Sequence, residues 1–122
     1  MIQINENNNI FEIIITEPRE DRDEEQFLNL LARLSDEMNF GLILEVSGEK
    51  AFSKESKIQL NKWFKLNKEH LRNQCLGFIR VKADAKNSDK LKSRAFSLAM
   101  PCPYRVMETR EQASLWFTTG QK

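Results

Sequence analysis

Two hydrophobic periods alternate along the chain, and each switch between them marks an element. Met1-Ile2-Gln3-Ile4 alternates up to an asparagine-rich stretch, Asn5 to Asn9. Ile10-Phe11-Glu12-Ile13-Ile14-Ile15 follows, rich in β-branched residues, and Pro18 closes it. This pattern predicts a two-stranded hairpin. Phe27, Leu28, Leu30, Leu31 and Leu34 then recur at three- and four-residue steps, which predicts an amphipathic helix from about Asp23 to Met38. The acids of Glu20 to Glu25 crowd its first turn, where the helix dipole favours negative charge, so they read as helix-start chemistry and not as a metal site.

Phe40-Gly41-Leu42-Ile43-Leu44-Glu45-Val46 is too short and too uniformly apolar for a surface helix, and Ser47-Gly48 ends it. It reads as the central strand of a sheet, buried on both faces. Ser53, with Glu55 in the first turn, is the N-cap of a long helix running to about Asn73. Leu60, Trp63, Phe64, Leu66 and Leu71 fall on one side of it. Lys54, Lys57, Lys65, Lys68 and Arg72 form a stripe on the other, with Ile58 as the exception on the basic side.

Leu76 to Val81 is the next strand, closing at Lys82. Asn87 or Ser88 caps a helix from Asp89 to Met100 whose buried side is Leu91, Ala95, Leu98 and Ala99. Pro101 and Pro103 stop it, and Tyr104-Arg105-Val106-Met107 is a last brief strand. Thr109 with Gln112 three residues on forms a capping box for a final helix through Phe117, and Thr118 to Lys122 reads as a tail. The predicted order is β-β-α-β-α-β-α-β-α. Strands joined by helices are parallel and the opening hairpin is antiparallel, so the fold class is α/β, with a mixed sheet of about five strands covered by four helices.

With 122 residues, the chain reads as a single domain, 1–122, large enough to bury a core without staples. No apolar run reaches the length of a membrane span and the start lacks a signal pattern, so the expected location is the cytoplasm. Cys75 and Cys102 form no C-x-x-C pair and His70 is the single histidine. The thiols therefore read as buried and reduced, and neither structural zinc nor a cofactor is implied.

A formal net charge of +1 hides an asymmetry. Residues 1–49 carry three arginines against twelve carboxylates, a net of −9, whereas residues 50–122 carry sixteen bases against six acids, a net of +10. Such a split means a basic binding face or two halves that attract each other within the fold.

Several segments, taken together, carry a resemblance. Arg94-Ala95-Phe96-Ser97-Leu98-Ala99-Met100-Pro101 precedes Tyr104-Arg105-Val106-Met107, and then Glu111-Gln112-Ala113-Ser114-Leu115-Trp116-Phe117. Earlier, the Leu42 to Val46 strand leads through a loop into the long helix with Trp63. With the element order, they resemble the stand-alone SpoIIAA-like (STAS) proteins of bacteria. That resemblance implies a non-catalytic regulatory module that binds a protein partner, with a homodimer as one form. In the family's regulatory branch an Asp-Ser-x-Gly loop after the central strand carries a phosphorylated serine. Here the stretch is Glu49-Lys50-Ala51-Phe52-Ser53-Lys54-Glu55-Ser56, so the motif is absent and Ser53 and Ser56 keep only the position.

The remaining chemistry is sparse. A lone histidine between Trp63 and Leu66 on a helix face reads as a boundary residue with one hydrogen-bond partner, no Gly-rich phosphate loop appears, and no enzyme is expected. The basic stripe lacks interleaved aromatics for stacking bases, which argues against nucleic acid. A second function class rests on a more distant likeness to lipid-carrying Sec14-like domains. It predicts a small hydrophobic ligand or lipid in a pocket between helices and sheet, lined by Trp63, Phe64, Phe96 and Trp116. Filling the core is those rings' competing role.

Overall fold

A computed structural model describes residues 1–18, 20–47, 53–82 and 100–119. Five strands form one sheet: β1 (Ile2–Asn7), β2 (Ile10–Thr16), β3 (Phe40–Ser47), β4 (Cys75–Val81) and β5 (Tyr104–Met107). Four helices are described: α1 (Asp23–Leu34), α2 (Lys54–Leu66), α3 (Lys68–Gln74) and α4 (Arg110–Thr119). Sheet order follows chain order, β1-β2-β3-β4-β5. The β1–β2 pair is antiparallel and every other pair parallel. The architecture is thus α/β with a mixed sheet, and β3 is its central strand. The predicted helix from Asp89, with Leu91, Ala95, Phe96, Leu98 and Ala99, lies outside the described residues.

The hairpin turns on Asn8 and Asn9 alone. Both adopt positive φ, 53° and 65°, the left-handed conformation a two-residue turn needs and asparagine tolerates. From β2 onward each parallel connection steps in the same direction across the sheet. Right-handed crossovers then place the described crossover helices α1, α2 and α3 on one face. The packing agrees: α1, α2 and α3 send Phe27, Leu30, Leu31, Leu34, Trp63 and Leu71 onto Phe11, Ile13, Ile15, Leu42, Leu44 and Phe78. The opposite face, with Ile43, Ile79 and Val81, receives Ala113 and Phe117 of α4.

Two glycines make that second face flat enough for aromatic rings. Gly41 and Gly77 pair across β3 and β4. A Cβ at Gly41 would overlap Phe117 Cε1, and one at Gly77 would stand 2.6 Å from Trp116 Cζ3. The ring edges thus occupy the space a side chain would fill. Arg110 fixes the start of α4, reaching Glu12 on β2 at 3.4 Å and Glu45 on β3 at 3.5 Å. The capping box forms as predicted. Gln112 N–H donates to Thr109 Oγ1 at 3.2 Å and Thr109 N–H donates back to Gln112 Oε1 at 3.3 Å.

Two helices end earlier than their periodicity predicts. α1 stops at Leu34 and not at Met38, because i→i+3 bonds from Asp36 to Arg33 and from Glu37 to Leu34 tighten the chain into a turn. The long helix predicted to Asn73 breaks at Asn67 (φ −110°, ψ 22°) into α2 and α3. Asn67 Nδ2 donates to the Trp63 carbonyl at 3.0 Å, and so does its own backbone N–H, which offers the backbone a cap in place of another helical turn. The break turns Leu66 out to 84% exposure, so this residue leaves the buried face it was expected to join. Leu71, beyond the break, is fully buried.

Candidate functional surface

Ser53 starts α2 as expected: its Oγ accepts the Ser56 N–H at 3.0 Å while its hydroxyl donates to Ser56 Oγ at 2.9 Å. Ser56 is buried at 4% exposure. Both hydroxyls, Ser53 and Ser56, are therefore engaged in building the cap. Beside them a cleft of about 410 Å³ opens between the starts of α1 and α2. Ile2, Ile15 and Phe27 supply apolar lining, and five carboxylates, Glu20, Asp21, Asp23, Glu24 and Glu55, outnumber Lys54 around it. A phosphoserine at Ser53 would face like charge there.

Asp23 is the buried carboxylate of this group. Its Oδ2 takes the Met1 ammonium at 2.6 Å and the Glu20 N–H at 2.9 Å. Burial alone would raise its pKa, but the bond from the Glu20 amide and the ammonium beside it outweigh burial and hold it below the ordinary value. The acid run Glu20 to Glu25 thus contains one structural ion pair that periodicity did not single out.

From the capped start, α2 presents a basic outer face. Lys54, Lys57 and Lys65 are all exposed, with Lys62 and Ile58 among them, and Lys68 and Arg72 are exposed on α3. The stripe belongs to two helices and bends at Asn67, next to the exposed Leu66. Lys62, omitted from the predicted stripe, follows Ile58 by one helical turn. Among the described residues none of these cations makes an ion pair. The bridges of Arg33 go to Glu6 and Glu37, and those of Arg110 to Glu12 and Glu45. α1 does pack beside α2, yet the opposite charges of the two halves do not pair across that contact among the described residues.

The aromatics proposed as pocket lining hold other positions. Trp63 is buried and its Nε1–H donates to Ser35 Oγ at 2.9 Å. Phe64 stacks on Phe78 with ring centroids 5.4 Å apart. Trp116 packs on Gly77 on the opposite face of the sheet, and Phe96 lies outside the described residues. The cleft is not lined by any of the three described rings. His70 is half-buried, with Nε2 3.1 Å from the Leu34 carbonyl and its ring stacked near Phe40 at 6.1 Å. It ties α3 to the end of α1.

One half-buried cation gave no sequence signal. Arg80 points from β4 onto the crossover-helix face beside Tyr104. Burial pushes the guanidinium down, and burial pushes the Tyr104 phenol up against the opposing pull of that cation. A lone arginine in a strand reads as surface, and only the register, Arg80 opposite Leu44 and Val106, places it inward.

No family model, curated protein or solved structure matches this chain. Among the described residues no helix is long and apolar enough to cross a membrane, and no three His, Cys, Asp or Glu side chains converge in a way that could hold a metal.

Proposed function

We propose that this chain is a non-catalytic interaction module of SpoIIAA-like type, whose α2–α3 outer face docks an acidic surface of a protein partner. The observation that carries the reading is the basic stripe: Lys54, Lys57, Lys65, Lys68 and Arg72 are exposed and without ion pairs among the described residues. Long cations held free of internal partners keep their charge available for steering and register at an interface. Ile58 at 39% exposure adds apolar contact area within the stripe, and Leu66 at 84% exposure adds more at its bend. The family reading draws its support from the consecutive strand order and from crossover helices packed on one face.

The test is crosslinked capture by the wild-type chain and by Lys57→Glu/Lys65→Glu, over a series of salt concentrations. A partner held by this face is lost on charge reversal and weakens with salt. Capture unchanged by both would overturn the reading.

A second reading, a small ligand, has one specific observation in its favour: the cleft between the starts of α1 and α2. Its carboxylate lining suits a small organic cation with an apolar stem better than a lipid. Native mass spectrometry of the protein as purified separates the two readings. Extra mass lost on activation supports the ligand, and a bare monomer or dimer mass removes it.

A further inference from the structure

The pairing of β4 with β3 contains one irregularity, and it falls beside a cysteine. Phe40 pairs with Cys75 but Gly41 pairs with Gly77, so Leu76 is an extra residue in β4. Strict alternation would put Cys75 and Phe78 on opposite faces of the sheet. The bulge reverses that, and Cys75 joins Phe78 in the core under the crossover helices.

Cys102 arrives at the same place from β5. Phe78 pairs with Tyr104, and Phe78 N–H donates to the Pro103 carbonyl at 2.8 Å, so the two chains are already side by side before β5 begins. Cys102 precedes Tyr104 by two residues and shares its face and its buried cluster. The two thiols thus lie on adjacent chains, on one face and at one level. Cys75 is 5% exposed and Cys102 7% exposed, both free. Cys75 Sγ donates to the Gly77 carbonyl at 3.4 Å.

We propose that Cys75 and Cys102 form a redox-responsive dithiol that closes into an intramolecular disulfide on exposure to a small-molecule disulfide such as oxidised glutathione. Their shared place in the core has an electrostatic counterpart: the Cys102 thiol and burial together push the Cys75 thiol up. In the reaction one thiol loses its proton and attacks the glutathione disulfide, expelling a glutathione thiolate and leaving a mixed disulfide. The second thiol loses its proton, attacks the protein sulfur of that bond and expels the second glutathione. Two protein thiols are oxidised, one glutathione disulfide is reduced to two thiols, and the two protons go to solvent or to the departing thiolates. Because both sulfurs are buried, the pace is that of local opening and not of chemistry.

The bond would tie the C-cap of α3, which is Cys75, to the entry of β5. It would stiffen the joint between the sheet and the helix that carries Lys68 and Arg72.

The experiment incubates the full chain, without denaturant, with oxidised glutathione and reads intact mass, peptide mapping and thermal unfolding. The expected product is a monomer lighter by two hydrogens, with Cys75 and Cys102 in one linked peptide pair. Its unfolding midpoint rises by roughly 5–15 °C and returns on reduction. Cys75→Ser and Cys102→Ser give no linked pair and no such rise, but the wild-type result stands without them should either variant fold poorly. A glutathione left on each cysteine, a disulfide between two chains, a linked product with a lowered midpoint, or thiols that stay unreacted each overturn the proposal.

Discussion

The Trp63 indole N–H donates to Ser35 Oγ at 2.9 Å, and Ser35 in turn donates to the Leu31 carbonyl at 3.1 Å, so one hydroxyl joins α2 to the last turn of α1. Trp63 thereby buries an aromatic body in the core while its polar edge is satisfied. Trp63→Phe keeps most of the packing and loses the bond. It is expected to cost about 1–2 kcal/mol, whereas Trp63→Ala should cost about 3–5 kcal/mol. Urea unfolding of both variants and of Ser35→Ala measures this. A small loss on Trp63→Ala would mean that the ring borders a cavity and does not fill the core.

Gly41→Ala would drive a Cβ into the Phe117 ring and to 2.8 Å from Ile10 Cδ1, in a sheet that has little room to give. The expected loss is about 1–3 kcal/mol. Gly41→Ala combined with Phe117→Leu should recover part of it, measured as a coupling energy in a double-mutant cycle.

Asp23→Asn removes the charge that holds the Met1 ammonium. The Asp23 pKa is lowered in the folded state, so its contribution is fully present above the unfolded value of 3.8 and is lost as pH falls through the folded value. The stability difference between wild type and Asp23→Asn should therefore be constant near neutrality and shrink only below about pH 4. Denaturant midpoints from pH 7 downward check the sign. A gap that widened on acidification would contradict it.

Thr109→Ala removes the hydroxyl that accepts the Gln112 N–H and should destabilise α4 by about 1 kcal/mol. Because α4 alone among the described helices packs on its face of the sheet, hydrogen exchange should rise first along Arg110–Thr119 and at the Gly41 and Gly77 amides.

Lys57→Glu/Lys65→Glu should leave stability within about 0.5 kcal/mol of wild type, since neither lysine makes an ion pair among the described residues. A larger loss on thermal unfolding would show that the stripe supports the fold and is not held in reserve for a partner.

The local code of this chain is strong wherever one residue answers one backbone need. Ser53 and Thr109 cap their helices through their own hydroxyls, Asn8 and Asn9 make the hairpin turn, and the apolar run of Phe40 to Val46 becomes the central strand. These were legible because the interactions span a few residues and depend on side-chain type alone. Periodicity could not show where α1 and the next helix stop, because Asn67 is compatible with a helix until its amide competes for the Trp63 carbonyl. Nor could it show that the lysines of α2 find no partner in α1, since charge counts carry no direction. Gly41 against Phe117, Cys75 turned onto the face of Cys102, and Arg80 drawn inward beside Tyr104 all depend on register between strands distant in sequence. A single-residue shift in that register exchanges the faces of a strand, and only the assembled sheet decides it.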